Sequence, residues 1–304
     1  MSARPRIVSL LPSATEIAVA LGLGDCLVGR SHECDFPPEV SALPVCTATK
    51  LEQGLGSRAI EERVKAIVEK GLSVYDVDAA LLKALRPDVI LTQAQCAVCA
   101  VTPADLAEAL ASWVGTPPRL VSLAPDDLVD VRGDFARVAE AAGAPERAAA
   151  ALQRFEAGLA ALPPAPAARP RLLAIEWLDP LMVAGNWVPE LISAAGGEPL
   201  LARPGVHSHS IDFAALAAAD PDIIALMPCG YQLGQTLPEA RALLATPQWQ
   251  ALRAVREGRV FAVDGHHLFN RPGPRLVESA AVLAWLIHSP EAVPAPLSGF
   301  IARV

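Results

Sequence analysis

The chain has 304 residues, 52% apolar and 19% charged, a balance that excludes disorder over most of its length and leaves room for two domains. A formal net charge of −8, with no run of Lys and Arg, excludes nucleic acid or an anionic membrane as the main partner.

From Met1 the chain enters a strand-like pattern by Arg6, without the basic and apolar regions of a secretory signal, and no apolar stretch is long enough to span a bilayer. A cytoplasmic protein is expected. Its six cysteines are then read as buried fillers or as metal or redox ligands rather than disulfides. Residues 6–10 (RIVSL) read as a strand, and Leu11-Pro12-Ser13 leads into an apolar-periodic helix over 14–21. Ser13 is the expected N-cap, with Glu16 completing a capping box. A second strand, 26–29, empties into Arg30-Ser31-His32-Glu33-Cys34-Asp35, a run of side chains able to ligate or hydrogen-bond. Helices follow over 58–70 and 78–85. The apolar run 88–91 (DVIL) reads as a buried parallel strand opening into Gln93, Gln95, Cys96 and Cys99. A helix over 103–113, a strand over 119–123 and a helical territory over 126–162, punctuated only by Gly143-Ala144-Pro145, complete this half. Pro163-Pro164-Ala165-Pro166 marks a boundary.

Beyond it the pattern restarts. Residues 171–175 (RLLAI) match the opening strand and end in Glu176-Trp177-Leu178-Asp179-Pro180. Helices over 189–195 and 213–219 precede the strand 223–227, which ends at Cys229. Arg86-Pro87-Asp88-Val89-Ile90 in one half corresponds to Asp220-Pro221-Asp222-Ile223-Ile224 in the other. A closing helix is expected over 274–288, and 290–304 as a tail packed over the surface. The fold class is α/β. Two Rossmann-like lobes, amino-terminal over 1–125 and carboxy-terminal over 169–304, are joined by a single long helix within the linker 126–168, with a ligand cleft between the carboxyl ends of their sheets.

The runs SLLPSATEI (9–17) and LRPDVIL (85–91), with the paired-lobe plan, resemble the class III solute-binding proteins of vitamin B12 and iron-siderophore importers over nearly the whole chain. SHECDFP (31–37), QAQCAVCA, EWLDP, GNWVPEL, MPCG and FNRPGPRL are similar to a cobalamin-binding branch of that family that often lacks a secretion signal. The resemblance implies a non-enzymatic binder of cobalamin or a related corrinoid, with haem or an iron-siderophore as the alternative. Periplasmic members carry an exposed Glu, which docks on the membrane permease, near the start of the helix preceding the PDVI strand. Ala80 stands at that position here, and Glu190 or Glu198 would have to supply the second docking acid. Docking on an ABC permease is therefore not expected, and binding inside the cell is.

Several residues suit a large planar ligand. His32, and His266 or His267, can contact it or ligate cobalt or iron below a tetrapyrrole ring. Trp177, Trp187, Tyr231 and Phe269 fall at strand ends of the second lobe and supply flat faces. Arg271, following Asn270 beside a helix start, can hold an anionic group. Pro12, Ser13, Gln93, Gln95 and Asn186 complete the ligand-binding set. Glu33, Asp35, Glu176 and Asp179 have no accompanying nucleophile or cofactor motif, so polar contacts explain them with less assumption than acid–base catalysis. Cys96 and Cys99 are spaced to share one metal ion, and Cys34 with Cys229 would complete four ligands for zinc or an iron–sulfur centre; the same thiols also suit a buried turn.

Overall fold

The computed structural model describes residues 4–52, 54–69, 73–93, 101–111, 113, 115–288 and 293–304. Two units divide the chain. One comprises Met1–Leu55, Ala59–Pro125 and Val129–Glu156; the other comprises Gly56–Arg58, Asp126–Leu128 and Ala157–Val304.

The first half of the chain runs β1 (Ile7–Ser9), α1 (Pro12–Ala20), β2 (Leu27–Arg30), β3 (Thr47–Thr49), α2 (Ser57–Val68), β4 (Tyr75–Val77), α3 (Ala79–Leu85), β5 (Val89–Gln93), α4 (Pro103–Ala111), β6 (Arg119–Leu123), α5 (Leu128–Ala141) and α6 (Arg147–Ala160). Strands β2, β1, β5 and β6 lie side by side in that order, all parallel. Every residue of β1 and β5 is buried, which is why they read as continuous apolar runs rather than alternating ones. Val8, Leu10, Leu82, Ile90 and Leu106 centre the core around them. The strand order reverses between β1 and β5, so ligands are expected beyond their carboxyl ends.

Two local expectations are corrected here. Helix α1 begins at Pro12 with Leu11 at the N-cap and no side-chain cap, so the Ser13–Glu16 capping box does not form. Proline at the first helical position presets φ and lacks one of the N–H groups that a helix start leaves unpaired; Ser13 and Glu16 turn inward and are buried. The helical territory over 126–162 is two helices, α5 and α6, rather than one. Pro145 cannot donate into a continuing helix, and the chain turns through Gly143 and Ala144 before α6 starts.

The second half continues with β7 (Arg171–Leu178), β8 (Leu181–Val183), α7 (Val188–Ala194), β9 (Glu198–Pro199), β10 (His209–Ser210), α8 (Phe213–Ala219), β11 (Ile223–Leu226), α9 (Leu233–Leu244), α10 (Pro247–Gln250), α11 (Arg253–Arg256), β12 (Val260–Val263), α12 (Leu276–His288) and β13 (Ile301–Arg303). Strands β7, β11 and β12 are parallel neighbours, β9 pairs in parallel with the start of β7, and β8 returns antiparallel along its end. Of the tail expected over 290–304, the described residues 293–304 do more than cover the surface. Ile301–Arg303 joins the sheet antiparallel to β12, with Val263 opposite Ile301, and Ile301 is buried.

The internal repeat extends to individual hydrogen bonds. In the first unit the backbone N–H of Arg6 donates to the Asp88 carboxylate at 2.7 Å, and its guanidinium donates to the Leu85 carbonyl at 2.9 Å. In the second unit Arg171 N–H donates to Asp222 at 2.7 Å, and its guanidinium reaches the Asp220 carbonyl at 3.2 Å. The Pro-Asp pattern thus ties each first strand to the next parallel one. Burial alone would raise the Asp222 pKa, but the Arg171 N–H and the Arg253 guanidinium hold it below the ordinary carboxylate range. Its stabilising effect is full above the pKa of an unfolded Asp and is lost as pH falls through the depressed folded value. Asp222→Ala is expected to cost about 1–2 kcal/mol in a denaturant titration at neutral pH. The gap from the parent should shrink on acidification; a constant gap would contradict the assignment.

Candidate functional site

In the first unit, the polar groups gather where β1, β2 and β5 end. Ser9 is buried at the close of β1, and Pro12 and Ser13 open α1 just beyond it. Past β2, Arg30 donates to the carbonyls of Ser31, Cys34 and Ser41, which fixes the loop carrying the sequence-predicted cluster. His32 is half-buried. Its Nδ1 lies 2.8 Å from Thr47 Oγ1, its backbone N–H donates to the same oxygen, and its ring stands 5.8 Å from that of Tyr75. Burial, and after it the Arg30 charge, lowers its pKa, so the imidazole is neutral at pH 7. Glu33 and Asp35 are half-buried on this loop. Gln93 is buried at the end of β5. Gln95, Cys96 and Cys99 lie outside the described residues. Cys34 is buried and accepts a hydrogen bond from Thr15 Oγ1 at 3.1 Å, an arrangement that packs the thiol inside the unit. Cys229, on the second unit, is half-buried with its backbone N–H donated to the Glu176 carbonyl.

The second unit collects the larger set, at the ends of β7, β11 and β12. The pairing of β7 with β8 slips between Ile175 and Trp177, a bulge that re-aims the side chains at Glu176 and Trp177. Trp177 meets Tyr231 edge-on, with ring centroids 5.6 Å apart, and its indole nitrogen is buried without a hydrogen-bond partner among the described residues. Tyr231 donates its hydroxyl to Glu239 at 3.2 Å; burial, and then the Glu239 carboxylate, pushes the phenol pKa up, so it remains a donor. Glu239 also accepts from Ser57 N–H and Oγ at 3.0 and 2.6 Å. Asp179 is clasped by Arg58 through two hydrogen bonds of 2.7 Å.

After β12, the buried Asp264 accepts from the backbone N–H groups of His266 and His267 and from His267 Nδ1. Arg271 is buried, and its guanidinium donates to His266 Nε2 at 3.0 Å. Because a guanidinium only donates, His266 Nε2 is the accepting nitrogen. Asn270 is half-buried and ties its side-chain amide to the Gly265 carbonyl. Asn186 adopts the left-handed conformation, at φ 52°, and lies 3.3 Å from His207 Nδ1.

Two expected ligand faces are withdrawn. Trp187 and Phe269 are both buried, and the Trp187 indole donates to the Phe269 carbonyl at 2.7 Å, so they pack against each other inside the unit. The sequence did not single out Glu239 or Ser208. Glu239 lies within a helical pattern, and Ser208 in a loop without a motif; neither carries a local signal.

The family model of periplasmic binding proteins matches residues 7–266. The chain is 23% identical over 282 residues to the vitamin B12-binding protein of Vibrio parahaemolyticus serotype O3:K6 (strain RIMD 2210633), covering 90% of this chain and 86% of that one. Among solved structures it is similar to the periplasmic haem-binding protein RhuT from Roseiflexus sp. RS-1 in apo form, with a TM-score of 0.66 and 26% identity over 93% of this chain and 98% of the other. It is also similar to the periplasmic vitamin B12-binding protein BtuF of Vibrio cholerae, with a TM-score of 0.61 and 21% identity over 93% and 96%.

Proposed function

We propose that this chain, which belongs to the periplasmic binding protein family and has its class III α/β fold, binds a cobalamin-type corrinoid beyond the carboxyl ends of its parallel strands, without chemical turnover. Membership makes it a substrate-binding protein of the vitamin B12, haem and siderophore kind. The observation that carries the corrinoid reading is the charge at the strand ends of the second unit. Asp179, Glu239 and Asp264 all lie there, while Arg58 is engaged by Asp179 and Arg271 by His266. A haem would bring two carboxylates to this surface, whereas the carboxamide rim of a corrinoid is neutral. Similarity to vitamin B12-binding relatives supports the same reading.

Calorimetry and absorbance titration with dicyanocobinamide and cyanocobalamin are expected to give a Kd below about 1 µM for at least one of them, near −8 kcal/mol. Haemin should bind more weakly. Tighter binding of haemin than of either corrinoid would replace the proposal with the haem reading. Cytoplasmic residence is proposed with it. Fractionation of the source cells tests this: recovery from the periplasm would instead make the chain the binding component of an importer, with an ABC permease as partner.

A further inference from the structure

Three residues from the amino-terminal half of the chain, Gly56–Arg58, belong to the second unit, although Leu55 before them and Ala59 after them belong to the first. Two carboxylates hold this short excursion. Glu239, on α9, accepts the Ser57 backbone N–H at 3.0 Å and the Ser57 hydroxyl at 2.6 Å, and Ser57 is buried. Asp179, in the turn between β7 and β8, takes the Arg58 guanidinium through two hydrogen bonds of 2.7 Å, one to each oxygen. Gly56 lets the backbone lie close to the first of these acids: a Cβ there would stand 3.2 Å from Glu239 Oε1. Both anchors are part of the site described above. Asp179 follows Trp177 by two residues, Glu239 accepts the Tyr231 hydroxyl at 3.2 Å, and Trp177 meets Tyr231 edge-on. The two ties differ in kind. Ser57 is 4% exposed, so its bonds to Glu239 are shielded, whereas the Arg58 and Asp179 side chains are 69% and 39% exposed, and water and salt compete for them.

We propose that Gly56–Arg58 is a strap across the ligand site of the second unit, and that its release gates the entry and departure of the ligand. The exposed Arg58–Asp179 tie yields first and the buried Ser57–Glu239 tie holds the strap in place to close again. The inference rests on the placing of the ligand beyond the carboxyl ends of the strands, not on which planar chelate is bound. A gate that must open for passage in either direction slows entry and exit by the same factor. Loosening it therefore speeds both rates and leaves their ratio, the Kd, as it was. A side chain that touches the ligand behaves differently, since its loss raises the Kd through faster departure alone.

The test uses the full-length protein and its Ser57→Ala, Arg58→Ala and doubly substituted variants, with circular dichroism and thermal melting to establish that each is folded. Hydrogen exchange at the Ser57 amide, which needs no ligand, reads the opening of the strap. Stopped-flow mixing reads association and dissociation rates with dicyanocobinamide or haemin, whichever the titrations show to bind more tightly. Arg58→Ala is expected to speed exchange at Ser57 by about threefold or more, and the double variant further. Association and dissociation should both rise by the same factor as exchange, with the Kd within about twofold of the parent's. Exchange that does not rise in a folded double variant overturns the inference, because the two carboxylates then do not hold the strap. Faster exchange with both rates as in the parent overturns it too, as does a raised Kd with an unchanged association rate, which would make Arg58 a ligand contact. In each of these cases ligand binding itself stands. Failure of the parent to bind either chelate overturns the reading of the site and the inference together.

Discussion

Gly265→Ala is expected to lower the melting temperature by roughly 6–12 °C, the equivalent of about 3 kcal/mol, and to remove ligand binding with it. A Cβ at this position would stand 2.1 Å from the Pro228 carbonyl oxygen and 2.6 Å from that of Met227. Both atoms are backbone at the exit of β11, held by the pairing of β11 with β7 and β12, so no side chain can rotate aside. Relief requires parting two neighbouring strands or displacing the loop after β12. The second route breaks a specific set of bonds: Gly265 and His266 both donate to the Tyr231 carbonyl, at 2.9 and 3.0 Å, and Asn270 holds the Gly265 carbonyl at 2.8 Å. Tyr231, His266 and Asn270 would therefore move together, which is why affinity and stability should fall in parallel.

Gly234→Ala is the control. No atom lies within 4 Å of a Cβ built there, and the residue is near the start of α9, where alanine suits the helix better than glycine. Its melting temperature should match or slightly exceed the parent's. Thermal unfolding followed by circular dichroism checks both variants. A Gly265→Ala protein melting within about 2 °C of the parent would mean that the loop tolerates the displacement and does not position the site.

The duplicated strand–Pro–Asp pattern was readable in the sequence because its causes are local and repeated. Arg6 and Asp88, like Arg171 and Asp222, bond across adjacent first strands, and the strands they join are buried on both faces. Strand ends follow from that pattern, and so does the placing of Glu176, Trp177, Tyr231 and His266. The partners of individual aromatics are another matter. Trp187 and Tyr231 both follow strands, yet Trp187 spends its indole on the Phe269 carbonyl while Tyr231 reaches a carboxylate. Only the path of a chain segment 82 residues away separates the two cases. Strand β13 was hidden for a related reason. Its three residues carry little intrinsic signal and form a strand because the edge of β12 is there to receive them. Ser13 shows the limit of local rules. Its capping signature was sound in isolation, but Pro12 moved the helix start by two residues and turned the serine inward.

Asp264→Ala is expected to cost about 3–5 kcal/mol at neutral pH, because it leaves several buried donors without their acceptor. The carboxylate accepts the His266 and His267 backbone N–H groups at 3.0 and 2.7 Å, a longer one from Leu233 at 3.4 Å, and His267 Nδ1. Truncation leaves these donors facing the position of a buried group. Asp264→Asn keeps one accepting oxygen and should cost about half as much, because its amide nitrogen then opposes at least one N–H. Burial pulls the Asp264 pKa upward, but the His267 side-chain and backbone hydrogen bonds outweigh it and hold the value below the ordinary range. A depressed folded pKa means that the stabilisation is complete above the pKa of an unfolded Asp, about 4, and drains away as pH falls through the folded value. Denaturant midpoints of the parent and both variants should thus converge toward low pH. Convergence on raising the pH instead would show that the histidines, and not the carboxylate, govern the loop. Because the same carboxylate orients both histidines beside Tyr231 and Arg271, the variants should also weaken corrinoid binding in the order of their lost acceptors. Alanine would have the larger effect and asparagine the smaller.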